Sequence, residues 1–478
     1  MKKSLSIFLL GILLTSLFFQ SCKMGKNYKR PELAMPEAFY TDFSTDTSSN
    51  LSEISWKDYF SDTVLLALID SGLHNNYDLL IAEQRVIQAN ALLMQSRGAL
   101  IPSFSGGGAV GIADPGDNSL QGKNINAANA TGNNIPIPIE NYQLDLSMSW
   151  EIDFWGRLRR LKESAKAQVA QTEMAQRALE TVLVANIASL YYELLSLDIK
   201  LEVINKNIAL QEEAFRVVKL QKEGGRANEV GVKQIEAQLL NTKGLKPAVL
   251  QQMVVTENAL NYLLGRYPQE IHRGDSLMQQ ELPETAFTGI PSELLQRRPD
   301  ILVAEYSLMA ANANVGAAKA AFYPTISLSA TGFMNSFDAG EFFSLPASLG
   351  YSVAGGLVAP IFQGNAIRAQ YKSTEAEREQ ALFQYQQSII TSFNEVINSL
   401  VAVNQLEEQK SLKVLEVDAL LKAAHFSNEL FKSGYANYLE VITAQNNALV
   451  AELDLADIQK EQLISLVELY RSLGGGWE

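Results

Sequence analysis

A long stretch without helix-breaking residues limits the possible folds of this chain more than any other feature. Residues 156–223 contain no proline, and no glycine after Gly156. At 1.5 Å per residue, a helix over this stretch would be roughly 100 Å long, which far exceeds the helices of ordinary globular domains. A second helix of the same kind is predicted over residues 364–432.

The apolar residues of the first long helix follow a seven-residue pattern. They are separated by alternating steps of four and three positions, which is typical of helices that pack side by side along their length. The positions are Leu183, Ile187, Leu190, Leu194, Leu197, Leu201, Ile204 and Ile208. The second long helix has the same pattern at Ile389, Phe393, Val396, Leu400 and Val403.

The chain consists of two similar halves in tandem. Short segments recur at an offset of 208 or 209 residues, which indicates an internal repeat. The matching segments are Phe154-Trp-Gly156 with Phe362-Gln-Gly364, Gly225-Arg-Ala-Asn228 with Gly434-Tyr-Ala-Asn437, and Leu264-Gly265 with Leu473-Gly474.

Each half is predicted to contain a helix, two strands, a long helix and a return helix. The first half, residues 62–265, has a helix at about 62–98, strands at about 102–112 and 141–152, the long helix 156–223 and the return helix 227–264. A linker, residues 266–290, leads to the second half, residues 291–478, with strands at about 324–334 and 349–360, the long helix 364–432 and the return helix 436–473. Gly244 and Pro247 are expected to break the first return helix.

The predicted strands alternate between apolar and polar residues. One face of residues 142–150 is apolar and the other carries Gln143, Asp145, Ser147 and Ser149. Strands of about ten residues with this alternation are typical of a membrane β-barrel, apolar outside and polar inside. A soluble antiparallel sheet with one face on a core is the other interpretation. No apolar element remains to cover such a sheet, since the long helices run away from it.

Four strands cannot close a barrel by themselves. In lipid every sheet edge must be paired, so the chain is expected to form an oligomer. Three copies would supply twelve strands, an even number within the known range, and a lumen wide enough for solutes. The loops at residues 113–140 and 335–348, rich in Gly, Asn, Ala and Pro, are expected to face outward, with the helices in the periplasm.

The N-terminus indicates export and a lipid anchor. Lys2 and Lys3 precede an apolar run that is too short to span a membrane, so residues 1–21 are predicted to be a signal peptide. Cys22, the one cysteine of the chain, stands at the expected cleavage point, which resembles a bacterial lipoprotein processing site. The lipid-bearing residue would then begin an extended segment, residues 22–61. Cleavage nearby, which would leave a free thiol, is the alternative.

The composition gives no indication of an enzyme, a cofactor or a nucleic-acid partner. The net charge is −14, whereas nucleic-acid binding requires basic patches. His74, His272 and His425 are scattered without metal-ligand spacing, and neither a nucleophile motif nor a phosphate-binding glycine loop occurs. We therefore predict a protein without catalytic residues, metal or cofactor.

Several motifs resemble the outer membrane efflux protein family, in its TolC-like lipoprotein branch. They are Tyr28-Lys-Arg-Pro31, Pro36-Glu-Ala-Phe39, Arg297-Arg-Pro-Asp300, Ala321-Phe-Tyr-Pro324 and Leu473-Gly-Gly-Gly-Trp477. The resemblance extends over nearly the whole mature chain. It implies a mostly α-helical fold with membrane β-strands: a homotrimer whose 12-stranded β-barrel is continued by a long periplasmic α-helical barrel. It also implies a passive exit duct that docks to a periplasmic adaptor protein and an inner-membrane pump, usually of the resistance-nodulation-division type.

The resemblance also suggests residues that close the periplasmic aperture. In this family the mouth is closed by helical hairpins, often with acidic residues near the second turn. Glu440 occupies the main acidic position in the matching stretch, residues 434–443, close to Asn437 and Thr443. Three copies of Glu440 would form a ring that favours cations, although a solvated surface glutamate would look the same in sequence. Arg226 could pair across the aperture or cap a helix.

The turns that end the long helices are the adaptor contacts implied by the resemblance. They comprise Gly224, Gly225 and Arg226 in the first half, and Ser433, Gly434 and Tyr435 in the second. Glycine is also the residue that a helix end in left-handed conformation favours, so turn geometry alone would require it.

The junction between strand and long helix carries three aromatic residues followed by three arginines. Trp150, Phe154 and Trp155 are predicted to lie at the membrane interface, where barrels have an aromatic girdle. Gly156 would allow the close turn, which Gly364 repeats in the second half. The alternatives for Arg157, Arg159 and Arg160 are contact with lipid phosphates and plain helix-surface charge.

Two other classes of protein remain open from the residues. A surface-exposed or periplasmic helical lipoprotein acting as a binding or scaffold protein would lack paired barrel strands. A periplasmic coiled-coil adaptor would have one hairpin between soluble β-domains rather than two hairpins that each follow membrane-type strands.

Overall fold

The computed structural model describes residues 23–32, 36, 54–132, 135–280 and 294–477. The predicted signal peptide and Cys22 lie outside the described residues, as do residues 33–35 and 37–53 of the predicted extended segment and residues 281–290 of the predicted linker. The described residues divide into two compact units. The first falls within Met1–Arg30, Ile87–Ala170 and Tyr306–Leu382, and the second within Pro31–Val86, Gln171–Glu305 and Phe383–Glu478.

The described chain is mostly helical, with four strands. The first half contains α1 (Trp56–Tyr59), α2 (Thr63–Asn75), α3 (Tyr77–Gly98), β1 (Ser103–Ala113), α4 (Leu120–Ala130), β2 (Ile139–Ile152), α5 (Arg157–Glu223) and α6 (Glu229–Leu263). After a short 3₁₀ turn, Leu277–Gln279, the second half contains α7 (Leu294–Arg297), α8 (Pro299–Ala320), β3 (Thr325–Ser336), β4 (Leu349–Val358), α9 (Ala366–Lys432) and α10 (Tyr438–Ser472).

The strands of the first unit form one antiparallel sheet in the order β1-β2-β3-β4. In its register Leu146 stands between Gly106 and Gly332, and Ser147 between Ser105 and Thr331. The edge strands β1 and β4 each pair with one neighbour within the described residues. The two open edges would pair readily with another chain.

One face of this sheet is apolar and exposed. Seven of its side chains are 50–85% exposed to solvent: Phe104, Val110, Leu144, Leu146, Tyr351, Val353 and Leu357. An isolated sheet in water would not leave so much contiguous apolar surface uncovered. The opposite face is polar, as shown by the bond from Asn335 Nδ2 to Asn141 Oδ1, 2.8 Å, and the 3.3 Å contact between the hydroxyls of Ser147 and Thr331.

The apolar stripe predicted on α5 forms part of the core of the second unit. Leu183, Ile187, Leu194, Leu197 and Ile204 are at most 4% exposed. Polar bonds join α5 to α10 beside this stripe: the Ser196 hydroxyl donates to the Ala456 carbonyl, and Lys200 pairs with Asp457 at 2.6 Å. Among the described helices, α5 alone has a segment long and apolar enough to cross a membrane, and most of that segment is buried.

Three sequence expectations about local structure are wrong. The helix predicted at 62–98 divides at Asn76, whose buried side chain accepts hydrogen bonds from the backbone of Asp78 and Leu79 and so starts a new helix. The loop predicted at 113–140 contains α4, capped by the Ser119 hydroxyl. Pro247 does not break the first return helix, since α6 continues through it.

Candidate functional site

The long helices end in two turns of the same geometry. In the first, the amides of Gly225 and Arg226 donate to the carbonyls of Lys222 and Gln221; in the second, Gly434 and Tyr435 donate to Phe431 and Leu430. Gly225 and Gly434 have φ angles of +74° and +80°. This is the helix-ending motif that requires a left-handed residue after the last turn, and it explains glycine at both positions.

The turn residues predicted as adaptor contacts are exposed in both hairpins. Gly224, Gly225 and Arg226 are exposed in the first turn, and Ser433, Gly434 and Tyr435 in the second; Tyr435 is 85% exposed. The next helices start in parallel ways, because Asn228 caps α6 and Asn437 caps α10 through bonds to backbone amides. Each hairpin therefore presents an accessible tip that is followed by a capped helix.

Close to their tips, the two hairpins pack against each other. Val218, Val232 and Ile235 form a buried cluster against Phe431, Tyr438 and other apolar side chains. The Tyr438 ring lies directly over Gly231, because a methyl group added there would stand 2.7 Å from the ring. Beside this cluster, the Gln211 amide lines a cavity of about 10 Å³ and has no partner among the described protein atoms.

The residues predicted for the aperture lie together at the second tip, except for Arg226. Asn437 Nδ2 donates to Glu440 Oε1 at 2.9 Å, and Asn437 Oδ1 accepts from the Glu440 amide. Thr443, one turn further on, donates its hydroxyl to the Leu439 carbonyl. Glu440 therefore stabilises the start of α10 and is also exposed to solvent. The acidic ring and a pairing role for Arg226, an exposed residue of the first tip, remain predictions.

The three junction aromatics are held in place by polar bonds and ring contacts. The indole N–H groups of Trp150 and Trp155 donate to the carbonyls of Leu100 and Pro324 at 3.1 and 2.8 Å. The Trp155 ring stacks on Tyr323 and meets Phe154 edge to face, with both centroid distances 4.8 Å. Aromatic side chains with a partnered polar group suit a membrane–water boundary.

All three arginines that follow have protein partners. Arg157 forms a two-pronged pair with Glu151, at 2.9 and 2.8 Å, and Arg159 pairs with Asp153 at 3.0 Å. The Arg160 side chain is fully buried. Lipid phosphates are therefore not needed to neutralise these charges, and the structure favours a local role in the junction for each arginine. Gly156, with φ +79°, permits the turn before them.

Arg160 holds the segment that follows Cys22. Its guanidinium donates to the carbonyls of Met24 and Gly25 at 2.8 and 2.9 Å and to Glu163 at 2.9 Å. Lys23 also pairs with Glu163, at 2.6 Å. Partial burial raises the pKa of Glu163, but the bonds from Lys23 and Arg160 outweigh it and leave that pKa below its usual value.

Glycines let the segment approach closely. A methyl group on Gly25 would stand 2.8 Å from the Gly316 backbone, and one on Gly316 would stand 2.7 Å from Arg160. Sequence reasoning treated the three arginines alike and missed this site. The one sequence feature that could have indicated the Arg160 site is the helical pattern, which places Arg160 and Ser164 on the same side of α5. Both side chains are buried.

The described residues contain no group of three or more His, Cys, Asp or Glu side chains that could hold a metal ion. The exposed apolar sheet face, the polar face behind it and the paired helical hairpins together define the class of outer membrane efflux channels. The chain belongs to the outer membrane efflux protein family, whose sequence profile matches residues 68–266 and 290–475. The sequence-based predictions of the family, of the TolC-like fold and of an outer membrane efflux channel are confirmed.

Relatives match along nearly their whole length. The cation efflux system protein CusC of Escherichia coli K12 is 28% identical, with 96% of this chain and 98% of CusC aligned. The toluene efflux pump outer membrane protein TtgF of Pseudomonas putida is 30% identical, with 97% and 96% aligned. The crystal structure of the open state of the MtrE outer membrane channel of Neisseria gonorrhoeae superposes with a TM-score of 0.83 at 25% identity, over 96% and 99% of the chains.

Proposed function

We propose that the chain forms a homotrimeric exit duct, with a 12-stranded barrel in the outer membrane and helices that reach into the periplasm. The four-stranded sheet carries this proposal, because its apolar face is exposed and both its edges are open. In a single chain, the apolar face would be unfavourable in water and the open edges would be unfavourable in lipid. Three copies pair the edges, place the apolar face in the bilayer and enclose the polar face around a lumen.

The duct is passive and has no cofactor; an adaptor and an inner-membrane pump, of the resistance-nodulation-division type, supply the energy. The exposed hairpin tips are the surfaces that the adaptor contacts. Relatives support a duct whose cargo is selected elsewhere, because CusC is named for cation efflux and TtgF for toluene efflux at similar identity to this chain. Small molecules such as drugs are the proposed cargo, and catalysis is not part of the function.

Cys22 is the proposed lipid anchor in the outer membrane. The support lies in the residues after it: Lys23, Met24 and Gly25 are fixed at the start of α5. Residues 23–25 lie close to Trp155, since the Met24 amide donates to the Trp155 carbonyl at 3.1 Å. A lipid on Cys22 would therefore emerge beside the interface aromatics, where an acyl chain can enter the bilayer.

The oligomeric state of the detergent-extracted protein tests the proposal. We expect a heat-modifiable trimer on electrophoresis and ion conductance in planar bilayers. A strict monomer without conductance would refute it. For the adaptor surface, a single cysteine introduced at Tyr435 should crosslink to the adaptor, since Cys22 has no free thiol when it bears the lipid. A cysteine at Leu412, which is exposed on α9 but distant in sequence from the tip, should not.

The acidic aperture is tested by charge reversal. Glu440→Lys should lower the preference for cations over anions in single-channel recordings, because three reversed charges would surround the narrowest opening. Glu229, which stands in the first turn of the equivalent helix α6 and pairs with Lys222, offers a matched control; Glu229→Lys should leave ion preference unchanged. Equal effects of both variants would refute a ring specific to Glu440.

A further inference from the structure

The two edge strands line the polar face of the sheet with small side chains. In β1 and β4 these are Ser, Gly and Ala, with Val358 at one end. The central strands β2 and β3 combine Ser and Thr with the larger residues Ile139, Asn141, Gln143, Asp145, Glu151, Phe333 and Asn335. Phe333 is the one aromatic residue at these polar-face positions of the described strands. It stands directly opposite Asp145 in the pairing of β2 with β3.

Asp145 and Phe333 belong to a row across all four strands. The register aligns Gly107, Asp145, Phe333 and Gly350. A methyl group added to Gly107 would stand 3.0 Å from the Asp145 carboxylate, and one added to Gly350 would stand 2.5 Å from the Phe333 ring. The carboxylate and the ring therefore lie over the glycines of the neighbouring strands, as in other sheets where an aromatic side chain covers a glycine. The side chains of Asp145 and Phe333 are therefore held against the backbone of the sheet.

The charge of Asp145 has no basic counterpart in the sheet. The four strands contain neither lysine nor arginine. Glu151, the other acid on this face, is neutralised by Arg157. Asp145 instead meets the Ser147 hydroxyl at 3.4 Å. In a trimer this one row would bring three carboxylates and three aromatic rings to the same level of the lumen.

We propose that Asp145 and Phe333 of the three subunits form a binding ring in the β-barrel lumen for organic cations with an apolar body. The carboxylates attract the positive charge, and the lumen focuses their field. The Phe333 face contacts the apolar body and adds a cation–π attraction. A solvated ring of this kind binds weakly enough to release its ligand, which conduction requires. This inference rests on the trimeric duct proposed above.

Two ions of the same shape and opposite charge test the ring. Tetraphenylphosphonium and tetraphenylborate are added to the extracellular side of single channels in planar bilayers, and the concentration that halves the current is measured. We expect tetraphenylphosphonium to block at lower concentration than tetraphenylborate. Asp145→Asn should raise the blocking concentration of tetraphenylphosphonium about tenfold, as expected for loss of nearby charges in water. Phe333→Ser should raise it about threefold, as expected for loss of an exposed cation–π contact.

Two variants provide matched controls. Tyr351→Ser removes an aromatic side chain of β4 from the apolar face, where it is 85% exposed, and Glu140→Gln removes an acid that bonds to Tyr142 near the start of β2. Neither substitution should change the tetraphenylphosphonium concentration that halves the current. If Asp145→Asn fails to insert, Asp145→Ser, which places the commonest side chain of this face there, replaces it.

The outcomes separate this inference from the proposed function. A wild-type protein that conducts, with the same tetraphenylphosphonium block in both Asp145 variants, would refute the ring and leave the duct intact. A wild-type trimer that never conducts would refute the duct itself. Equal block by the two probe ions would also refute the ring, because it would show that charge does not decide binding in the lumen.

Discussion

The Nε atom of Arg160 donates a hydrogen bond to the carbonyl oxygen of Met24 at 2.8 Å, from a side chain with no exposure to solvent. Arginine can meet two carbonyls and a carboxylate at once because its guanidinium offers five donors in a planar fork. A buried side chain of the long helix thus helps to fix the segment after Cys22, together with the partly exposed pair of Lys23 with Glu163.

Replacing Arg160 by lysine should release this segment. An ammonium group has no planar fork and cannot reach all three acceptors, so we expect residues 23–30 to become accessible to protease and to exchange amide hydrogens faster. Arg157→Gln is the control, because Arg157 pairs with Glu151 and not with the segment. A segment that stays protected in Arg160→Lys would show that Arg160 does not hold it.

The same segment should loosen in acid. The pKa of Glu163 is held below its usual 4.5, mainly by bonds from Lys23 and Arg160 that outweigh the effect of burial. A carboxyl group whose pKa is lowered in the folded state contributes stability that is fully present above about pH 4.5. That stability is lost as the pH falls through the pKa of the folded state. The protection of residues 23–30 against hydrogen exchange, measured relative to the intrinsic exchange rate at each pH, should therefore fall below pH 4.5.

Glu163→Gln separates this effect from other acids that titrate in the same range. The variant should show lower protection of the segment at neutral pH and little further loss of protection in acid. A wild-type profile identical to that of the variant would contradict the assignment to Glu163.

Arg298 should be needed for stability in the second unit. Its side chain is 4% exposed and bonds to Asp300, to Glu395 and to the carbonyl of Ser472. Arg298→Met leaves the buried Ser472 carbonyl without its donor and two partly exposed carboxylates without this partner, which should cost about 2 kcal/mol. The proposed trimer should then dissociate at a lower temperature in detergent.

An exposed pair provides the comparison for Arg298. Arg216 and Glu213 lie 2.6 Å apart on α5 with both side chains about 60% exposed. Arg216→Met should leave the dissociation temperature unchanged, because exposed ion pairs contribute little. Similar losses in Arg298→Met and Arg216→Met would refute the argument from burial.

Replacement by valine should have different effects on the free energy of unfolding at two buried threonines. The Thr242 hydroxyl is buried without a partner among the described protein atoms, whereas the Thr181 hydroxyl donates to the Arg177 carbonyl at 3.1 Å. Thr242→Val should be neutral or stabilising, and Thr181→Val should cost about 1 kcal/mol. Denaturant unfolding of the two variants measures the difference; a larger loss at Thr242 would indicate an internal water that bonds to it.

Motifs that marked the family in sequence now have a physical explanation. Arg298, in the motif Arg297-Arg-Pro-Asp300, donates to the end of α10 at Ser472. Gly474, with φ +98°, lies against the Arg297 backbone, where a methyl group would stand 3.1 Å away. Arg298 and Ser472 are 174 positions apart, and the contact between the two ends of this half could not be inferred from either motif.

The sequence by itself determined the architecture of this protein. The absence of proline and glycine over residues 157–223, the seven-residue stripe and the alternating strands each depend on local periodicity, which directly reflects helix and strand geometry. The turns at Gly225 and Gly434 were equally predictable from the sequence, because their positive φ angles favour glycine.

Only the tertiary structure decided which polar residues have partners. Arg157, Arg159 and Arg160 look alike in sequence, yet one is buried against a distant segment and two pair with nearby acids. Asp145 and Phe333 are separated by 188 positions and meet through strand register. Such pairings depend on how distant segments dock, and docking is decided by packing rather than by local periodicity.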